Sequence, residues 1–186
     1  MFVRKDNLKL VPSNDPILKL QPEMYDFEKY GNSAEMLANV LFEKMEEYGG
    51  VGLSANQVGL NVRVFVIGAG ESKIPFFNPE IISMSNEQEN YEEGCLSFPG
   101  VKIKLTRPAS VTITFLNAKR QRFTETFSGL TARIILHEYD HMQGLTMRDH
   151  VSKLKWDLAL KKKKRYNDKL AKYEKIVAKT QQTSVV

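Results

Sequence analysis

Residues 137–141 read His137-Glu138-Tyr139-Asp140-His141, an HExxH arrangement. Side chains four apart on a helix lie one above the other on the same face. If this segment is helical, His137 and His141 can hold one metal ion between them. Glu138 then sits about 100° further round the helix, within reach of a water beside that ion. Two ligands and a general base are the minimum set for metal-assisted hydrolysis of an amide. The chain contains three histidines, and two of them lie here.

The surrounding pattern supplies the helix. Ser128-Gly129 precedes a segment, residues 130–143, in which Leu130, Ile134 and Ile135 recur as apolar anchors, and Gly144 provides a stop. A second helix is expected over residues 33–48, from Ala34, Leu37, Leu41 and Met45 at helical spacing. Ser33 can cap it, and Gly49, Gly50 and Gly52 end it. Residues 62–67, apart from Arg63, are apolar and largely β-branched and predict a strand. Val101, Ile103 and Leu105 alternate with lysines, Val111, Ile113 and Phe115 with threonines, and residues 122–127 pair back through the polar turn 117–121. A last helix spans residues 152–179. Helix, a block of strands, helix, helix is the order of an α+β domain, with largely antiparallel sheets packed around one metal-bearing helix and a C-terminal helix beyond.

Two histidines leave a catalytic metal short of a ligand, because such sites use three protein ligands and one open position. Ten residues after His137, where one protease group has its third histidine, stands Met147, a poor ligand for a hard hydrolytic metal. The only glutamate after His141 is the distant Glu174. The single cysteine, in Glu93-Gly94-Cys95-Leu96-Ser97, is the better candidate. A lone cysteine is as readily a small buried hydrophobe. The glycine beside it allows close backbone approach. A His-His-Cys set suits ferrous iron or zinc.

Length and composition agree with one globular domain, 42% hydrophobic and 26% charged. No apolar run at the N-terminus suggests a signal peptide, no stretch is long enough to span a membrane, and one cysteine forms no internal disulfide. A cytoplasmic location is the expectation. The net charge of +5 is uneven. From His150 onward eleven Lys or Arg face three Asp or Glu, a net of +8, leaving the rest at −3. A polyanionic partner would meet the tail.

Three segments together resemble the peptide deformylases, enzymes that remove the N-formyl group from nascent proteins. Gly50-Val51-Gly52-Leu53-Ser54-Ala55-Asn56-Gln57 is similar to the family's GxGLAAxQ, Glu93-Gly94-Cys95-Leu96-Ser97 to its EGCLS, and residues 137–141 to its HExDH. Order and spacing are close to the bacterial type 1 form, and the likeness runs from about Asp15 through the final helix. Ser54 replaces the usual alanine, a small-for-small change expected to be harmless. Leu136 stands where glutamine is common, and Lys102 where many members have arginine.

The resemblance implies that residues 1–150 form the catalytic part and 151–186 a basic helix and short tail of the same domain. It implies that Cys95, His137 and His141 hold one divalent ion, Fe²⁺ in the cell, with Zn²⁺, Ni²⁺ or Co²⁺ able to substitute. Glu138 would take a proton from the attacking water and return it to the leaving amine. The Gln57 amide and the Leu96 backbone N–H would steady the oxyanion. Gly52, Glu93 and Gly94 would line the peptide's path, the glycines admitting its backbone. Val51, Tyr91, Leu130 and Ile134 would receive the methionine side chain. Asp140 is expected to orient a neighbour that the sequence does not name. The substrate would be N-formyl-Met nascent peptides. The cations from Lys161 to Arg165 and at Lys169, Lys172, Lys175 and Lys179, beside a stripe of Leu154, Leu158, Tyr166, Leu170, Tyr173 and Val177, suggest ribosome docking, with no membrane and no specific DNA binding. Two rivals stand beside this: an HExxH peptidase, which lacks its usual third ligand, and a nucleic-acid-binding module with a structural metal, which would need four ligands.

Overall fold

The computed structural model describes residues 8–30, 33–69 and 72–183. In chain order it contains α1 (Phe27–Tyr30), α2 (Ser33–Glu47), β1 (Gly52–Ser54), a 3-10 turn (Ala55–Val58), β2 (Val64–Ala69), β3 (Ser72–Met84), β4 (Gln88–Gly94), β5 (Lys102–Pro108), β6 (Ser110–Leu116), β7 (Arg122–Ser128), α3 (Gly129–Met142) and α4 (Lys153–Thr183). The strands form a five-stranded sheet, β1-β2-β3-β6-β7, and a two-stranded hairpin, β4-β5. Every strand pair is antiparallel. The fold is α+β, as the order of patterns predicts.

Strand β2 shows why the sheet carries a helix on each face. Successive strand side chains point to opposite sides. Val64 and Val66 enter one core with Leu37, Leu41 and Met45 of α2. Phe65 and Ile67 enter another with Ala132, Ile135 and Leu136 of α3. A strand buried on both faces needs apolar residues at every position, which explains its unbroken run. A third core joins Val101, Ile103 and Leu105 to Cys95, Met147 and Trp156. Helix α3 packs on the sheet and also meets the hairpin, Arg133 Nη1 donating to Leu105 C=O at 3.0 Å, and Met147, set aside as a ligand, is core.

Strands β1, β3 and β4 lie where the sequence pattern shows no strand. In β3, Asn78-Pro79 has the composition of a turn, and Asn78 adopts a positive φ of 50°. The strand survives by a bulge, its register with β6 shifting between Phe77 and Glu80. The Asn78 side chain accepts from Tyr25 N–H at 2.7 Å and donates to Tyr25 C=O at 2.9 Å. Strand β4 is mostly exposed, so it lacks the alternation that marks a half-buried strand.

Helix α4 rests on the body through its first turns. Trp156 is buried and packs edge-on against Phe98, ring centroids 5.0 Å apart. The expected apolar stripe faces solvent instead: Leu154, Leu158, Tyr166, Leu170 and Tyr173 are all exposed. The Val177 side chain lies outside the described residues. No helix among those described is long and apolar enough to cross a membrane.

Candidate metal centre and active site

Arg133, His137 and His141 follow at four-residue intervals on α3 and share one face. All three are buried. Cys95 follows directly on β4 and opens a turn whose carbonyl accepts from Phe98 N–H at 2.9 Å. The ligand atoms of Cys95, His137 and His141 come within 4.8 Å of one another. Cys95 Sγ lies 3.4 Å from His141 Nε2. One thiolate and two imidazoles converging in a buried cluster fit a borderline divalent ion.

The protonation pattern favours ligation. Burial alone would push the Cys95 thiol up, but contacts with His137 and His141 hold it well below the ordinary thiol range. The sulfur is thus poised as the thiolate that binds metal. His137 Nδ1 lies 3.0 Å from Glu93 Oε2. The carboxylate can only accept when ionised, so it assigns the ring proton to Nδ1 and leaves the other nitrogen for the cluster.

Glu93 was expected on the substrate path. It borders the cleft, but its oxygens are taken up within the protein. They accept from Arg107 Nε at 2.7 Å and Nη2 at 3.0 Å, from Arg133 Nη1 at 2.7 Å and from His137. A carboxylate with that many donors orients a ligand and has little left for a peptide. Arg107 Nη1 also meets Asp140 at 2.8 Å, and His150 Nε2 lies 2.7 Å from the same Asp140 oxygen. Those are the neighbours of Asp140 that the sequence left unnamed. Arg107 carries its own signal: it continues the inward positions Ile103 and Leu105 of β5, and a charge at an inward position calls for a buried partner.

Glu138 is buried beside the donor cluster. Its burial pushes the carboxyl above the ordinary range, against the pull of the two histidines and of a hydrogen bond from Ser54. That bond is 2.7 Å, from Ser54 Oγ to Glu138 Oε2, a contact that alanine could not make. A Cβ at Gly52 would stand 2.5 Å from Glu138 Oε1, which leaves room there for glycine alone. Gln57 accepts from Ser54 N–H through Oε1 at 2.9 Å. Its Nε2 is thereby turned towards Ser97 Oγ, at 3.0 Å, and Cys95 Sγ, at 3.5 Å.

These groups open onto a cleft of about 580 Å³. Gly52, Gln57, Gly94, Cys95, Leu96, His137 and Glu138 line it, and so do Val51, Leu130 and Ile134. Val51 and Leu130 are exposed, as apolar residues awaiting an apolar ligand would be. Tyr91 is not among the lining residues. It shares a strand face with Glu93 and is 55% exposed, with the cleft residue Arg133 lying 5.1 Å from its ring centre.

Known proteins share this sequence pattern and fold. The sequence pattern that defines the polypeptide deformylase family matches residues 7–157. A peptide deformylase of Cytophaga hutchinsonii is 40% identical over 154 residues, covering 78% of this chain and 83% of that one. The crystal structure of a peptide deformylase from Legionella pneumophila superposes with a TM-score of 0.78 at 32% identity, over 88% of this chain and 97% of that one. That from Thermotoga maritima gives 0.74 at 32% identity, over 78% and 97%. A metal-ready Cys-His-His cluster, a carboxylate beside it and a match along most of the chain have one common reading: this protein belongs to the polypeptide deformylase family.

Proposed function

We propose that this protein hydrolyses the N-formyl group from the N-terminal formyl-methionine of nascent polypeptides and releases formate, using one divalent ion held by Cys95, His137 and His141. The observation that carries this reading is the buried donor cluster with Glu138 beside it, open to the cleft at Gly52 and Gly94. A divalent ion there supplies Lewis acidity towards water and the formyl oxygen. Fe²⁺ is the ion proposed for the cell, with Zn²⁺, Ni²⁺ and Co²⁺ as substitutes.

Glu138 takes a proton from the water that attacks the formyl carbon. Gln57 Nε2 and the Leu96 N–H stabilise the charge that grows on the formyl oxygen, and one such donor is worth about 2.7–4 kcal/mol. Glu138 returns its proton to the amine as the C–N bond breaks. Val51, Leu130 and Ile134 receive the methionine side chain. Tyr91 stands outside the residues that line the cleft, against Arg133, and Glu93 acts by orienting His137. The test is formate release from a formyl-methionyl peptide by anaerobically purified protein, with metal content measured on the same sample. Cys95→Ala should lose most of its metal and most of its formate release together. No formate from the loaded wild type, or full metal in Cys95→Ala, would refute the reading.

The same reading places the enzyme in the cytoplasm, near the ribosome. Residues 1–150 carry the catalysis, and 151–186 add a basic helix joined to the same domain through Trp156. The cations of α4 beside its exposed Tyr166, Leu170 and Tyr173 suit a phosphate-rich surface, with affinity falling steeply as salt releases the counterion advantage. Lys162 reaches Glu92 at the cleft rim, 3.9 Å away. A truncation after Lys164 therefore keeps the rim and removes Arg165, Lys169, Lys172, Lys175 and Lys179. It should cosediment poorly with ribosomes at low salt and still hydrolyse a short formyl peptide. Undiminished cosedimentation would remove the docking role.

A further inference from the structure

Ser54 touches both side chains to which the proposed reaction assigns proton and charge handling. Its backbone N–H fixes Gln57 Oε1 at 2.9 Å, and its hydroxyl lies 2.7 Å from Glu138 Oε2. The hydroxyl is also 3.2 Å from the Glu138 backbone carbonyl, so both of its nearest acceptors belong to the same residue. Ser54 is fully buried, so no water competes for these contacts.

A carboxylate turns easily about its last torsion, whose profile is broad and two-fold. Left free, Glu138 would exchange its oxygens between a wall and the cleft. Here the two oxygens have different surroundings. Oε2 is held by Ser54, while Oε1 faces Gly52, a residue of the cleft wall. We propose that Ser54 is a positioning residue of this active site: by holding Oε2 it keeps Oε1 towards the cleft as the oxygen that carries the proton. In that step a water O–H bond breaks as its proton moves to Oε1, and the same proton then passes from Oε1 to the leaving amine nitrogen. Ser54 gives up no proton and is unchanged at the end.

The inference rests on the deformylase reading, with Glu138 as the base. Ser54→Ala removes only the hydroxyl and leaves the backbone bond to Gln57. It should lower kcat per bound metal by about tenfold, as loss of a hydrogen bond to a charged group does. KM and metal content should stay near wild type, a split that general loosening of the site does not produce. Ser54→Thr, which keeps the hydroxyl, should retain most of the rate. In the infrared spectrum, the carboxylate band that Glu138→Gln removes should move in Ser54→Ala, in metal-free protein as well as loaded. A kcat loss below about threefold, a loss carried by KM, or a loss that tracks metal content would overturn the proposal. If the wild type releases formate, Glu138→Gln does not, and Ser54→Ala behaves as wild type, the role of Ser54 fails while the deformylase reading stands.

Discussion

Glu138→Gln should keep its metal and lose turnover by about 10²–10⁴-fold, the range for a positioned acid or base. Glutamine has the same shape, so the buried pocket beside Gly52 stays filled. Its amide oxygen can still accept from Ser54. Glu138 is outside the Cys95, His137 and His141 cluster, so no ligand is lost. What disappears is the group proposed to take the proton from water and hand it to the amine. Metal analysis and formate release on one preparation check both halves. A variant that kept more than about a tenth of the wild-type rate would remove Glu138 as the base.

Glu93→Gln should have the largest effect on stability. Arg107 and Arg133 are both buried, and both direct a guanidinium at this carboxylate. Removing one partner of a buried ionic group costs about 3–5 kcal/mol, because the remaining charge has lost its compensation. At about 2–4 °C per kcal/mol for a domain of this size, the melting temperature should fall by roughly 10 °C. Metal affinity should fall about 10–100-fold as His137 exchanges an orienting carboxylate for a neutral amide. The KM of the protein that still holds metal should scarcely change. A rise in KM without loss of stability would restore Glu93 to the substrate path.

The acid response of the same residue gives a second check. Burial would raise the Glu93 carboxyl, but hydrogen bonds and charge from His137 and Arg107 outweigh it and lower it from 4.5 to about 2. A carboxyl depressed in the folded state stabilises the fold fully above its unfolded value, and that contribution is lost as pH falls towards the folded value. The window therefore runs from about 4.5 down to about 2. At about 1.4 kcal/mol per pH unit, the contribution is about 3 kcal/mol. Wild type should lose stability across this window more steeply than Glu93→Gln.

Arg107 shows where the sequence stopped being readable. The alternation of β5 was plain as far as Leu105, yet the next inward residue is a charge whose partners, Glu93 and Asp140, come from β4 and α3. Local periodicity states which way a side chain points and nothing about what it will meet there. Strand β3 was missed for a related reason. Asn78-Pro79 looks like a turn, and the strand continues only because the neighbouring strands β2 and β6 pair with it on either side of a bulge.

The sequence by itself determined the parts whose chemistry is local. The four-residue spacing of His137 and His141 needs only a helix to bring them to one face, and the alternating runs of β5 and β6 need only a sheet with one wetter side. The resemblance then marked Cys95, Gln57 and the glycines of the cleft. Tertiary structure decided what depends on meetings between distant segments. It set Ser54 against Glu138, 84 residues away, and gathered Arg107, Arg133 and His137 around Glu93. It also left Tyr91 beside the cleft residue Arg133 and chose Trp156 to anchor α4. A buried charge must find opposite charge or donors wherever the fold brings them, and that choice is made in space, not along the chain.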